Sequence, residues 1–334
     1  MRKQGQFIYS KLDFLNCAFG IIPPKLHLYE STADLPAFDL TNLNAHFLLY
    51  RVIQKDFYLK NGSIADGSRK AKRIHTDTFL NMEILTPKLL EQNYIANFLL
   101  NLDNIITLHQ RKCEKLKIFK KAMLEKMFPK NNDKIPEVRF NGFTDAWEQC
   151  ILKNKTSLIT KGTTPLNKNN IGTVNFIKIE NINSETNQIQ ITNKISLEEH
   201  NNYLKRSQLQ DNDILFSIAG TLGRTAIITS KLLPANTNQA LAIIRIHNGN
   251  IEYFRTYLTG TNVKKFIRQN PTIGAQPNLS LQQLEHLDVT FPNLDEQKKI
   301  GQYFKALDNL ITLHQRKVEK LQIIKKSMLK KMFV

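Results

Sequence analysis

Asp103-Asn-Ile-Ile-Thr-Leu-His-Gln-Arg-Lys-Cys-Glu-Lys-Leu116 returns, almost unchanged, as Asp308-Asn-Leu-Ile-Thr-Leu-His-Gln-Arg-Lys-Val-Glu-Lys-Leu321. The match runs without a gap from Pro87 to Phe128 and from Pro292 to Phe333, at a constant offset of 205 residues, and 26 of the 42 aligned positions are identical. Self-similarity on this scale marks a duplicated structural unit. In the first copy Leu102, Ile106, Cys113, Leu116, Met123 and Met127 follow a four-three spacing, with His109 and Lys120 interrupting it. Such a stripe is a coiled-coil-like seam on a helix. If residues 94–128 are all helical they span roughly 50 Å, at about 1.5 Å per residue. Pro129 then stops the helix, because proline cannot continue one.

Outward from these helices lie two globular blocks. From Gly5 to about Pro87, Phe7-Ile-Tyr-Ser10 and Cys17-Ala-Phe-Gly-Ile-Ile22 read as short buried strands. Leu43 to Leu59 reads as one helix, with Leu43, Phe47, Leu48, Val52, Ile53 and Phe57 near 3.6-residue spacing. A Gly- and Arg/Lys-rich loop, 61–73, precedes a short helix start and a strand at Met82–Leu85. In the second block, 143–292, strands are expected at Phe176–Ile179, Ile189–Ile191, Ile214–Phe216, Thr225–Ile228 and Ala240–Ile246, then a helix from Ile251 to Arg268. The blocks resemble each other weakly: Phe7-Ile-Tyr-Ser10 aligns with Ile214-Leu-Phe-Ser217, and the helix from Leu43 with that from Ile251. On this alignment the first block lacks a counterpart of roughly the first 65 residues of the second.

Segment boundaries follow: 1–90, a first block; 91–129, a helix; 130–142, a polar linker; 143–295, a second block; 296–334, a second helix. At 334 residues the chain accommodates about two domains. Hydrophobic content of 41% and charged content of 23% are ordinary for a globular protein, but 47 Lys+Arg against 29 Asp+Glu give +18 and a pI near 9.7. That excess points to a polyanionic partner. No apolar run approaches the ~20 residues of a spanning helix, so no membrane partner is expected. Met1-Arg-Lys-Gln-Gly-Gln is followed by no apolar core, so it does not read as a secretion signal. Cys17, Cys113 and Cys150 lack metal-ligand spacing, and read as reduced thiols of a cytoplasmic protein.

No catalytic or metal-binding constellation stands out. There is no Gly-rich dinucleotide or phosphate loop, and no Asn/Asp-Pro-Pro-Tyr/Phe motif of the kind that holds a flipped base for methylation. Glu198-Glu199-His200 reads as a solvated turn, since adjacent residues do not face one another. His109 and His314 occupy one repeat position and suit a shared polar contact. Nucleic-acid binding has more behind it. Cations of one sign crowd both helices, Arg111, Lys112 and Lys115 in the first and Arg316, Lys317 and Lys320 in the second, which is no salt-bridge lattice. Three loops combine glycine with amides and cations. The first holds Lys161, Gly162, Thr163, Thr164, Lys168 and Asn169. The second holds Gly220, Thr221 and Arg224, and the third Gln276 and Asn278. Asn238 and Gln239, and Arg69, Lys70, Lys72 and Arg73 of the basic loop, complete the candidate DNA-binding set. Asn and Gln bond adenine edges, Arg and Lys bond guanine, and hydroxyls and backbone amides suit phosphate. Each loop alone looks like any turn.

Together the chain resembles the specificity (S) subunit of type I restriction–modification enzymes. The residues carrying this are Phe140-Asn-Gly-Phe-Thr-Asp-Ala-Trp147, Lys161-Gly-Thr-Thr-Pro165, Asp213-Ile-Leu-Phe-Ser-x-x-Gly-Thr-x-Gly-Arg224, Asn238-Gln-Ala240, Gln276-Pro-Asn-Leu-Ser280, and Pro292-x-Leu-x-Glu-Gln-x-x-Ile300. The resemblance covers the whole chain. It implies an α+β fold: two mixed α/β target-recognition domains separated by two long antiparallel, coiled-coil-like helices. Each domain reads half of a bipartite double-stranded DNA target. The helices set the spacer and bind modification (methyltransferase) subunits, two of them, with restriction (endonuclease) subunits joining the full complex. S-adenosylmethionine, ATP and Mg2+ belong to those partners, and the chain itself is expected to be non-catalytic and to bind no cofactor. A twofold reader fits half-sites about one helical turn apart, roughly 34 Å. The departure is at the start, where a Trp- and Gly-Thr-Pro-containing segment of the first domain has no match. The first domain is therefore expected to be N-terminally truncated. It then works as it is, is complemented by another chain, or belongs to a silent copy that binds modification subunits as a decoy or recombination reservoir.

Overall fold

The structure, a computed structural model, describes residues 1–63, 73–130, 133–167, 169, 171–270 and 278–333. It divides into two compact units, Met1–Arg111 with Arg316–Val334, and Lys112–Gln315. Both long helices are cut by this division, so each unit owns part of each.

In the first unit β1 (Phe7–Tyr9), β2 (Phe19–Ile21) and β3 (Ala37–Phe38) form an antiparallel sheet of order β2-β1-β3. Helices α1 (Ala45–Val52), α2 (Lys55–Gly62) and α3 (Thr76–Leu80) follow, then α4 (Leu89–Lys126). The single helix expected over 43–59 is thus two, interrupted at Ile53-Gln54. In an unbroken helix Phe57 would lie about 180° from Leu48, at about 100° per residue. The break lets Leu48, Val52 and Phe57 share one core with Phe7, Tyr9 and Phe14. The Gln54 side-chain amide, 2.8 Å from the Tyr50 carbonyl oxygen, satisfies that carbonyl.

The second unit begins with the remainder of α4 and continues with β4 (Glu148–Ile151), β5 (Thr156–Lys161), β6 (Val174–Ile177), β7 (Asn193–Ile195) and α5 (Leu197–Asn201). Then come β8 (Ile214–Ser217), β9 (Thr225–Ile227), β10 (Ala235–Thr237), β11 (Leu241–Ile246), α6 (Ile251–Leu258), α7 (Thr261–Gln269), α8 (Leu281–Glu285), β12 (Asp288–Phe291) and α9 (Leu294–Met332). The strands form a four-stranded sheet β5-β11-β8-β9, a three-stranded sheet β10-β6-β7 and the pair β12-β4. Two expectations change here. Residues 189–191 form no strand; one bridge joins Ile189 to Ile182, because the Gln190 amide turns to the Asn181 carbonyl instead. The helix expected over 251–268 breaks at Gly260, whose extended backbone starts α7.

The weak similarity between the blocks is a match in register. Phe7, Ile8 and Tyr9 pair with Ile21, Gly20 and Phe19; Ile214, Leu215 and Phe216 pair with Ile227, Ala226 and Thr225. On the other side Phe7 and Ile8 pair with Phe38 and Ala37, as Ile214 and Leu215 pair with Ile244 and Ile243. Asn44 and Asn250 cap α1 and α6, and each has its own amide 2.9 Å from the side-chain oxygen of Gln92 or Gln297. Those glutamines donate in turn to the carbonyls of Pro87 and Pro292. Even an exchanged chemistry keeps its place: Gln6 bonds Asp39 in the first unit, where Asp213 and Arg245 make a two-pronged ion pair in the second. That carboxylate, through its hydrogen bonds, raises the Arg245 pKa.

Both long helices pair within each unit. In the second, Phe128 meets Phe304 and Lys120 meets Asp308, so numbers rise along α4 as they fall along α9: the helices are antiparallel. The repeat-equivalent bridge in the first unit is Lys325 to Asp103, at 2.6 Å. Tyr50 also donates to Asp103, and burial first, then this bond, pushes its phenol above the ordinary tyrosine range.

One part of the second unit has no counterpart in the first among the described residues. The segment before β4 lies along the start of α9. Arg139 holds the fully buried Glu296 with two hydrogen bonds of 2.7 and 2.8 Å, Phe140 packs edge-on against Tyr303, and Phe143 sits under the Lys299 ammonium. Trp147 enters the core against Phe128 and Tyr253. Strand β4 then pairs with β12, Asp288 opposite Ile151 through Phe291 opposite Glu148. This explains a fourth difference. The strand expected at Met82–Leu85 is absent, although its repeat equivalent contributes to β12: a strand exists only where a neighbour completes its ladder.

Candidate nucleic-acid interface

The topology of the four-stranded sheet gathers the candidate loops. Strand β5 ends at Lys161 opposite Ala242; β8 ends at Ser217 opposite Leu241; β9 begins at Thr225 opposite Phe216. Antiparallel order therefore sends 162–167, 218–224 and 238–240 out of one end of the sheet.

Within that end, the first loop is zipped to the residues before β11. The Gly162 amide bonds the Leu241 carbonyl at 3.1 Å and the Thr163 amide bonds Thr237 at 2.9 Å. A Cβ on Gly162 would stand 2.1 Å from the Asn238 carbonyl oxygen and 2.2 Å from that of Thr237, so only glycine allows this approach. The Thr164 hydroxyl meets the Gln239 side chain, and Arg206 reaches the Thr163 hydroxyl at 3.3 Å. Lys161, Gly162, Thr163, Thr164, Asn238 and Gln239 thus belong to one surface.

Glu198-Glu199-His200 is not a solvated turn but the short helix α5, and it fastens this surface. A Glu199 carboxylate oxygen accepts the amides of Leu166 and Asn167 at 2.8 and 3.0 Å, while Ser196 caps the helix through the Glu199 amide. His200 Nδ1 meets the Asn236 amide oxygen, whose nitrogen donates to the Leu204 carbonyl; Nδ1 is therefore the protonated nitrogen. The Asn169 amide bonds the Asn167 side chain, curling the loop tip.

The hairpin 217–224 is shaped from inside. The Ser217 hydroxyl donates to the Thr221 carbonyl at 2.6 Å and accepts the Arg224 amide at 2.8 Å, with Gly220 and Gly223 at positive φ. Leu279 bonds Ile218 at 2.7 Å, and Asn278 bridges Ala219, so the third loop joins the hairpin. Gly220 and Thr221 are exposed at the tip. Arg224 is placed differently. Its guanidinium donates to the Ile179 and Ile182 carbonyls at 3.2 and 3.1 Å, tying the hairpin to the turn after β6.

The sequence reading missed Arg206, Glu199 and Asn236. The legible signal for the first is Tyr203-Leu-Lys-Arg206, an exposed aromatic beside two exposed cations, a pairing suited to bases and phosphates. In the first unit, Ile74 bonds Lys11 at 3.0 Å, the equivalent of Leu279 on Ile218, and this sets Arg73 beside hairpin 10–18 with its guanidinium 3.7 Å from Asp34. Arg69, Lys70, Lys72, Lys168 and Gln276 lie outside the described residues. Among those described, no cluster of His, Cys, Asp and Glu is arranged to hold a metal ion, and no helix is long and apolar enough to cross a membrane.

A duplicated chain that presents loops from a sheet end, on units sharing two long helices, has the make-up of a recognition protein built from a repeated unit. The particular family is shown by comparison: residues 147–322 match the type I restriction modification DNA specificity domain, and the chain belongs to that family. The MjaVIII type I restriction enzyme specificity subunit of Methanocaldococcus jannaschii is 24% identical over 292 residues, 85% of this chain and 68% of that protein. The provisionally named MjaX specificity subunit of the same organism is 26% identical over 299 residues, 86% and 67% of the two chains. Among solved structures, the type I S subunit from M. genitalium superposes with a TM-score of 0.60 at 15% identity, covering all of this chain and 84% of that one. The fold is therefore that of the specificity subunits: mixed helix and sheet, with two sheet-containing domains and two long helices.

Proposed function

We propose that this chain reads a bipartite DNA sequence for a type I restriction–modification complex and performs no chemistry itself. The observation that carries this is the gathering of Lys161, Thr163, Thr164, Gln239, Asn278 and Arg206 at one end of one sheet, with a matching hairpin and Arg73 in the first unit. Hydroxyls, amides and cations together provide phosphate positioning and base-edge contacts. The helices, about 57 Å long for 38 residues at about 1.5 Å each, act as the spacer. They also carry the modification subunits. Exposed Ile105, Leu108 and Ile323 in the first unit recur as Leu310, Leu313 and Ile118 in the second, an apolar set offered twice, as two copies of one partner require. S-adenosylmethionine, ATP and Mg2+ are used by those partners.

Co-expression with a modification subunit, as the sole specificity subunit, should yield adenine methylation at one two-part motif in the methylome; methylation by the isolated chain would refute the reading. Replacing Lys161 and Arg206 with alanine should flatten the dependence of log affinity on log salt by about 0.9 per phosphate that is no longer neutralised, measured by anisotropy on a target duplex. Leu108→Asp and Leu313→Asp should each remove one of two modification subunits from the purified complex, read as mass by light scattering.

A second reading is favoured by one observation: the first unit has no counterpart of loops 161–167 and 199–206 among the described residues. Under it the chain binds modification subunits without full bipartite specificity, and the methylome would show a single half-site or none.

A further inference from the structure

Hairpin 217–224 stands at the reading end of the sheet without a free cation of its own, because Arg224 is spent on the Ile179 and Ile182 carbonyls. The helix packed behind it carries several. In α7, Val263 is buried and Phe266 and Ile267 pack on the same core. At about 100° per residue the opposite face therefore carries Lys264, Lys265 and Arg268, all of them exposed. Lys264 and Arg268, four residues apart, share one side of the helix. Neither has an ion-pair partner among the described residues. Between Glu252 and Glu285 the sequence holds Arg255, Lys264, Lys265 and Arg268 and no carboxylate at all. The helix is fixed near both ends. Asn262 donates to the Pro129 carbonyl at 2.9 Å, and a Cβ on Gly223 would stand 3.2 Å from Ile267 Cδ1. Arg268 thus follows directly on the residue that touches the hairpin. A cationic run is ordinarily a solvated face, but here the first unit repeats the arrangement. There α2 packs Gly62 so closely on Leu15 of hairpin 10–18 that a Cβ would overlap it, and bears exposed Lys55 and Lys60, without ion-pair partners among the described residues.

We infer that Lys264 and Arg268 form a phosphate clamp: each holds a backbone phosphate of the duplex against which hairpin 217–224 is laid, whatever the bases there. The inference rests on the DNA-reading function proposed above and divides the labour within it. Phosphate contacts fix the register and orientation of a protein on the duplex and carry no sequence information, whereas base edges carry it. Helix α7 does the first, and the loops at the sheet end do the second. The clamp stands beside the hairpin rather than in it, which leaves Gly220 and Thr221 at the exposed tip free for the groove.

The test is the full-length chain carrying Lys264→Gln with Arg268→Gln, titrated by anisotropy against target and scrambled duplexes over a range of salt. The slope of log affinity against log salt should flatten by about 1.8, or about 0.9 for each of two phosphates. Affinity for both duplexes should fall by the same factor, so that their ratio is kept. Ethylation interference should show two phosphates that weaken binding of the parent when ethylated and no longer matter to the variant. Both side chains are exposed, so the fold is kept, which an unchanged thermal transition followed at Trp147 would verify. An unchanged slope, or a loss confined to the target duplex, would overturn the inference, the latter by showing that these side chains read bases. The Lys161 and Arg206 double variant separates two failures. If it flattens the slope and the α7 variant does not, the clamp alone falls; if neither does, DNA reading at this end of the sheet falls with it.

Discussion

Arg139→Ala is expected to lower the stability of the second unit by about 3–5 kcal/mol, because it leaves a buried carboxylate without its partner. Glu296 has no exposed side-chain surface, and both its oxygens are occupied by the Arg139 guanidinium, whose pKa these hydrogen bonds raise. Trp147 is the single tryptophan of the chain, and it lies in the same core against Phe128 and Tyr253, so its fluorescence reports the unfolding of this unit alone. A urea titration followed at Trp147 should therefore show the midpoint falling. Two controls sharpen the result. Glu91→Ala, at the exposed equivalent position, should stay within about 0.5 kcal/mol of the parent. Combining Arg139→Ala with Glu296→Leu should recover most of the loss, since the penalty lies in the unpaired charge. A loss below about 1 kcal/mol for Arg139→Ala would mean that water reaches Glu296.

How much of this was legible in the sequence depends on what each feature rests upon. The long helices were visible end to end: their seam residues Leu102, Ile106, Cys113 and Met127 are buried as the spacing required. Strands β1, β2, β8, β9 and β11 were also visible, being short apolar runs that fill a core. Features that depend on a distant partner were not. Met82–Leu85 has a strand's composition but no neighbour, whereas Asp288–Phe291 gains one from Glu148–Ile151. The breaks at Gln54 and Gly260 answer to packing against a sheet, which no local spacing records. In the site, glycine-bearing loops were found, yet not how each side chain is spent. Arg224 looked like a base or phosphate contact and is bonded to two main-chain carbonyls; Glu199 looked solvated and fastens the loop beside it.

That distinction between forming the interface and touching DNA makes Gly162→Ala the most informative single change. The added methyl would meet the carbonyl oxygens of Thr237, the last residue of β10 and held by its pairing with β6, and of Asn238, which accepts the Leu241 amide at the start of β11, so neither can retreat without disturbing a strand. The loop must move instead, breaking the bonds from Gly162 to Leu241 and from Thr163 to Thr237 that align Lys161, Thr164 and Gln239. Overpacking of this kind costs about 1–3 kcal/mol, and leaves the core of Trp147 and Leu152 intact. Its effect on recognition should be larger. Specific binding commonly exceeds non-specific binding by at least about 10³, and a displaced loop forfeits that ratio. The complex carrying Gly162→Ala should therefore bind target and scrambled duplexes alike, with its salt dependence retained, because the cations are still present. Gly220→Ala provides the contrast: a Cβ there meets no atom within 4 Å, so only its φ of +70° opposes the change, by roughly 1 kcal/mol. Retained discrimination in Gly162→Ala would place base reading away from this end of the sheet, whereas lost discrimination with intact folding would locate it there.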